Sequence, residues 1–331
     1  MRKALPFILL GIGMISIIIM LGAEHLDRPP ASKLYHVAVI ASGQSRLVKL
    51  EGVRDGLTAR GYVLGENLKL SIYDAGSDGE SLAELISQAL DQSPDLLVTL
   101  GGIETWTARA RAGSTPVVFV GVADTLAWGL IESIRAPGVG ITGVDNGYVE
   151  LTGKRLEWAK RLMPWAQHMT LLYSPGIIPS ESARRAAHAA ALQLHLTVDD
   201  FAVSQQPLSA QLAEMFAELD TDALVIMPSY RIENALDEIL TAAQTVGLPV
   251  IGLNVDATRE GALISYGASF YDMGFQAARL VDKVLRGIPP ENIPVEFPDY
   301  PHLSINTGAA EQLKLVLPAP LLSLAHEVIR P

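Results

Sequence analysis

From His36 almost to its end the chain alternates short β-branched runs with amphipathic stretches of helical period, and no other feature restricts the fold as much. HVAVIA (36–41) has the continuous apolar character of a strand buried on both faces. Residues 47–60 then place Leu47, Leu50, Val53 and Leu57 on one helical face before Gly61 stops the turn. Strands at 68–73, 95–100 and 116–122 alternate with helices at 81–90 and 103–111, as a parallel doubly wound sheet requires. At VGITGV (139–144) the pattern restarts. Strands at 169–174, 196–203, 223–229 and 249–254, with helices at 148–162, 180–194, 208–218 and 231–246, predict a second sheet of similar size. ALISYG (262–267), the helix after it, PVEF and HLSIN are too short for a third domain and must complete sheets already begun. The predicted fold class is α/β, with two doubly wound parallel-sheet lobes joined by crossovers.

A separate segment precedes this pattern. Met1-Arg2-Lys3 is basic, and Ala4 to Ala23 carries no charge, which marks residues 1–23 as a hydrophobic leader outside the fold. As a helix that stretch would reach roughly 30 Å, so it fits a retained inner-membrane anchor as well as a cleaved signal peptide. Either way the body of the protein is expected outside the cytoplasm. The chain has 0 cysteines, so disulfides, thiolate metal sites, a cysteine nucleophile and a lipid-modified cysteine are all excluded. A formal charge of -11 with no basic stripe argues against nucleic acid as a partner.

Motifs for catalysis and cofactors are mostly missing. Gly138 to Gly143 has the G-x-G-x-x-G spacing, but the glycines precede and overlap a strand instead of leading from a strand into a helix, so no dinucleotide site is expected. Gly147 to Lys154 has one residue too many for a phosphate loop, and no G-x-S-x-G elbow occurs. His188 and His195 share a helical face without metal-ligand spacing, and Asp199-Asp200 and Glu214 with Glu218 read as solvated charge. We expect no cofactor, no metal and no catalytic residue.

In a parallel α/β sheet, ligands settle outside the carboxyl ends of the strands, so the loops just after them are the informative ones. They supply Ser42, Gln44, Gly101, Gly102, Asp124, Asp145, Tyr230, Asn254 and Ser269 as candidate ligand-binding residues. Gly101-Gly102 lets backbone amides approach an anionic group at a helix start, although a plain tight turn has the same sequence. Asp124 and Asp145 can accept from a ligand amine or hydroxyl, whereas Asp256 reads as an ordinary helix cap. Tyr230 directly follows a strand, where a phenol can stack on a ligand and hydrogen-bond it. Trp106 and Trp128 are a cleft wall or core. Ser269 with Asp272 has the form of a capping box at the start of a helix whose apolar face is Met273, Ala277, Leu280, Val281 and Val284.

The order of segments resembles a known family. It is carried by Gly52-Val53-Arg54-Asp55-Gly56-Leu57 with Gly61 to Asn67, by Pro116 to Phe119, by Val139 to Val144, and by Leu172-Tyr173-Ser174-Pro175-Gly176. Gly261-Ala262-Leu263 through Tyr266-Gly267, Tyr271 to Gly274, Gln276 to Ala278, Lys283 to Gly287 and Ile293 to Glu296 complete it. The chain resembles the tryptophan/tyrosine-type substrate-binding proteins of ABC importers, a branch of the type I periplasmic binding protein fold. The resemblance implies a first lobe of 34–143 plus 257–288 and a second of 144–256 plus 289–331, with solute held between them by hinge closure and passed to permease subunits. Ser42, Gly102 and Asp124 occupy loops that match the pattern. Tyr230 stands where many relatives carry an acidic residue after the Pro-Ser/Thr pair, and Ser269 replaces another position that is often acidic.

The leading expectation is a non-catalytic extracytoplasmic receptor for a small organic solute, amino-acid-like or aromatic, acting as a monomer. A ligand-sensing module tethered beside a membrane signalling partner is the alternative, and an exported small-molecule enzyme is opposed by the motif inventory.

Overall fold

The computed structural model describes residues 33–43, 46–76, 81–138, 140–203, 211–212 and 220–330. The leader, Gln44 and the helix expected at 208–218 lie outside the described residues.

The first sheet contains β1 (Tyr35–Ala41), β2 (Leu68–Asp74), β3 (Leu96–Thr99), β4 (Val117–Val122) and β5 (Ile141–Asp145) in the order β2-β1-β3-β4-β5, all parallel. Its connecting helices are α1 (Leu47–Thr58), α2 (Leu82–Asp91) and α3 (Gly102–Arg109). The second lobe runs through α4 (Thr152–Leu162), β6 (His168–Tyr173), α5 (Ile178–Leu194), β7 (Thr197–Ala202), β8 (Ala223–Ile226), α6 (Tyr230–Asn234), α7 (Leu236–Thr245), β9 (Val250–Gly252), α8 (Val255–Glu260) and β10 (Ile264–Gly267). The chain then forms α9 (Phe270–Leu285), β11 (His302–Asn306), α10 (Thr307–Gln312), α11 (Ala319–Leu322) and β12 (Glu327–Ile329). The second sheet has the order β12-β11-β10-β9-β8-β6-β7, parallel except where β10 meets β11.

Three sequence expectations change here. The run at 139–144, read as the start of the second sheet, forms β5 and closes the first sheet against β4. Residues 257–267, assigned by resemblance to the first lobe, hold the end of α8 and all of β10, which pairs in the second sheet. Residues 290–296, assigned to the second lobe, line the edge of the first: Thr142 Oγ1 donates to the Ile293 carbonyl at 2.8 Å and Val144 bridges Glu296. The reason is the same each time. An apolar run specifies that a strand is buried but says nothing about which edge it joins.

The Gly267-Ala268-Ser269 corner is thus a crossover, carrying the chain from β10 back to the first lobe, where α9 packs on α1. Their close approach depends on small residues. A methyl on Gly52 would lie 2.0 Å from the Tyr271 carbonyl oxygen, and one on Gly274 would lie 2.0 Å from that of Lys49. The buried face of α1 is consequently Lys49, Gly52, Val53, Gly56 and Leu57, rotated away from the face predicted through Leu47 and Leu50. The apolar face expected for α9 is buried as read.

Candidate functional site

The strand-end loops of the two lobes face each other across a cleft. A methyl on Gly43, after β1, would sit 3.3 Å from the carboxamide oxygen of Asn234 in α6, so the lobes touch at this point. Beside the contact lies a cavity of about 110 Å³. The first lobe lines it with Arg46, Lys49, Gly101, Gly102, Ile103, Gly121, Ala123 and Trp128, and Asn146 adds to it at a crossover. Ile177, Pro179, Pro228, Ser229, Tyr230 and Glu233 supply the opposite wall. A smaller cavity of about 30 Å³ adjoins Glu233 and is bordered by Tyr148, Asn254, Asp256 and Phe270, among others. A groove of about 570 Å³ on the second lobe is larger, but residues of that lobe alone line it, and hinge motion cannot close it.

The first-lobe wall is built on buried charge. Arg46 Nη1 donates to both carboxylate oxygens of Glu104, at 2.8 and 2.7 Å, and Ser42 Oγ donates to one of them at 2.7 Å. One helical turn beyond Arg46, Lys49 Nζ donates to the carbonyls of Leu100, Val120 and Gly121 at 2.8, 3.2 and 3.3 Å, tying the ends of β3 and β4 together. The same nitrogen lies 4.8 Å from the centre of the Phe270 ring. Burial, aided by the neighbouring Arg46 charge, pushes the Lys49 ammonium down to about 8. Across the cleft, burial raises the Glu233 carboxyl above the usual range, and Arg46 and Lys49 oppose that rise. Trp128 stacks on Trp106 with ring centroids 6.2 Å apart, one ring in the cavity wall and the other half-exposed.

Of the sequence candidates, Gly101, Gly102 and Tyr230 line the main cavity and Asn254 lines the smaller one. Both glycines are required by packing, since a methyl on Gly101 would meet Arg46 at 2.0 Å and one on Gly102 would meet the Trp128 ring at 2.1 Å. Asn254 caps α8 by accepting from the Ala257 amide at 3.0 Å while donating to the Tyr148 hydroxyl at 2.7 Å.

The other candidates are placed elsewhere. Ser42 is spent on Glu104. Asp145 accepts from the Thr125 amide and hydroxyl and from the Gly147 amide at 2.9, 2.7 and 3.0 Å, which makes it a clamp at the crossover and not part of the cavity wall. Its carboxyl is nevertheless pushed up to about 6 by burial. Ser269 caps α9, accepting from the Asp272 amide at 3.0 Å and donating to the Asp272 carboxylate at 2.6 Å, which is the capping box read in sequence. Asp124 adopts a left-handed conformation at φ 52, and its Oδ2 is buried without a partner among the described residues. Ala123 lines the cavity next to it, but Asp124 does not.

Arg46, Lys49 and Glu233 escaped the sequence reading. Charges on amphipathic helices ordinarily mark the wet face, and only the first turn after a strand-end loop distinguishes these three.

Comparison with known proteins gives the site its context. The family model described as ABC transporter substrate binding protein matches residues 35–329. The chain belongs to that family. It is a solute-binding receptor of an ABC importer by that membership. Its curated relatives include a tyrosine-binding protein of Clostridioides difficile, 23% identical over 267 residues, covering 80% of this chain and 76% of the relative. An uncharacterised Rickettsia prowazekii protein is 23% identical over 231 residues, covering 69% of this chain and 70% of that protein. Among solved structures, the ABC domain in complex with L-Trp from Streptococcus pneumoniae superposes with TM-score 0.82 at 22% identity, covering 90% of this chain and 100% of that one. A Vibrio cholerae conserved domain protein gives TM-score 0.80 at 24% identity, covering 89% and 100%.

Proposed function

We propose that the cavity between the lobes holds a small organic solute, amino-acid-like or bearing an aromatic ring, and that hinge closure traps it there for delivery to membrane permease subunits. The carrying observation is that both lobes contribute to one cavity whose walls are mainly apolar, through Ile103, Trp128, Ile177, Pro179 and Tyr230, with a few polar groups converging on it. That combination suits orientation of a small ligand in a site shut off from water. The tyrosine-binding relative and the L-Trp complex support the choice of solute class. The receptor works outside the cytoplasm, reached through the leader at residues 1–23, as a monomer that leaves its solute chemically unchanged. No described helix is long and apolar enough to cross a membrane, so any anchoring would fall to that leader. A thermal-shift panel of amino acids, aromatic acids, sugars and nucleosides, with mass spectrometry of solute carried through purification, tests the reading. At least one solute should stabilise the chain, and Tyr230→Ala should weaken it by about tenfold or more, the scale of a lost aromatic wall. An empty panel and no co-purified solute would refute it.

A further inference from the structure

Resting on that reading, the cavity also shows which charges its solute carries. Two ionic groups face it from opposite lobes with hydrogen-bonding capacity unused. On the first lobe, Arg46 is 5% exposed and lines the cavity; its Nη1 is committed to Glu104 and Ser42, whereas its Nε and Nη2 donate to no described residue. On the second lobe, Glu233 borders both cavities, and no described residue donates to its carboxylate. With Lys49 beside Arg46, two cations and one carboxylate leave the first-lobe wall net positive, whereas Glu233 makes the facing wall negative. Such a polarised, water-poor cleft rewards a ligand with charges of both signs and penalises one that leaves either wall group unpaired.

We infer that Glu233 is the specificity residue of this receptor, accepting a ligand ammonium group while the unused fork of Arg46 receives a ligand carboxylate, so that the solute is a zwitterion. The position is informative. Tyr230 occupies the place after Pro228-Ser229 where the family pattern often carries an acid, and Glu233 lies three residues on, one turn along α6. The chain therefore supplies its carboxylate from the next turn of the helix and frees Tyr230 to serve as an aromatic wall. A carboxylate–ammonium contact in such a site is worth on the order of 10- to 100-fold in affinity.

The test is calorimetric titration of the full chain with the twenty standard L-amino acids, then with the deaminated and the decarboxylated analogues of the tightest binder. The expected result is at least about tenfold weaker binding of both analogues by the wild type. Glu233→Gln should lower affinity for the amino acid by about 10- to 100-fold and leave the deaminated acid within about twofold. Equal binding of the amino acid and its deaminated analogue by the wild type would overturn the assignment, and this comparison needs no variant to fold. Binding of a sugar, nucleoside or simple anion with no amino acid bound would overturn the assignment of Glu233 alone. A chain that binds no solute of any class would sink the receptor reading and this inference together.

Discussion

Arg46 Nη1 reaches both oxygens of Glu104, at 2.8 and 2.7 Å, where the ends of β1 and β3 meet the cleft, and neither side chain has more than 6% of its surface exposed. The pair fixes the first-lobe wall before any solute arrives. Lys49 sits one turn away and is also buried, so removing Glu104 would leave two cations without their carboxylate. We predict that Glu104→Ala destabilises the chain by about 3–5 kcal/mol in urea unfolding, the scale of a broken buried pair. The double variant Arg46→Met/Glu104→Leu should recover much of that loss, because the stranded charge goes with its partner. A double variant as unstable as Glu104→Ala would show that the pair does not interact as described.

The contact of α1 with α9 gives a sharper steric prediction. Gly52→Ala would place a methyl 2.0 Å from a backbone oxygen that belongs to another helix and cannot swing aside. The expected loss is about 1–3 kcal/mol or more, with the helices forced apart. Gly153 in α4 is the control, since a methyl there meets only Ala190 Cβ at 3.3 Å. Gly153→Ala should be close to neutral, or gain up to about 1 kcal/mol from helix propensity. Equal effects at the two sites would contradict the close packing of α1 on α9.

Asp145 makes stability depend on pH in an unusual direction. Its carboxyl is raised from 3.8 to about 6 in the folded chain, so between those values the native state holds a proton that the unfolded state has lost. Its contribution is fully present below about pH 4 and is lost as pH rises through about 6. Asp145→Asn cannot titrate and provides the reference. The stability of the wild type minus that of Asp145→Asn should therefore fall by on the order of 2–3 kcal/mol between pH 3.5 and pH 7, read from denaturant midpoints. A difference that stays flat or rises would mean that the hydrogen bonds from Thr125 and Gly147 outweigh burial.

Much of this architecture can be read in the residues alone, and the places where reading fails have physical causes. The apolar runs that became β1, β4 and β8 declared themselves, as did the strand-end loops holding Gly101, Gly102 and Tyr230. Sheet membership of β5 and β10 did not, because pairing partners are chosen by tertiary contacts that a run of Val and Ile does not encode. Polar loop residues divided in the same way. Asp145 and Ser269 sit at strand ends, as a ligand group would, but nearby amides claim them first. Arg46 and Glu233 were hidden for the opposite reason, since each occupies a helix where charge ordinarily faces water, and only the facing lobe turns that surface into a cavity wall.

The central claim is that two lobes enclose one unaltered solute. Titration of the full chain with the best solute from the panel, with mass spectrometry of the solute recovered afterwards, tests it most directly. The account predicts saturation at one solute per chain and recovery of the same molecule in full. Absence of saturable binding, or recovery of a chemically changed product, would contradict it.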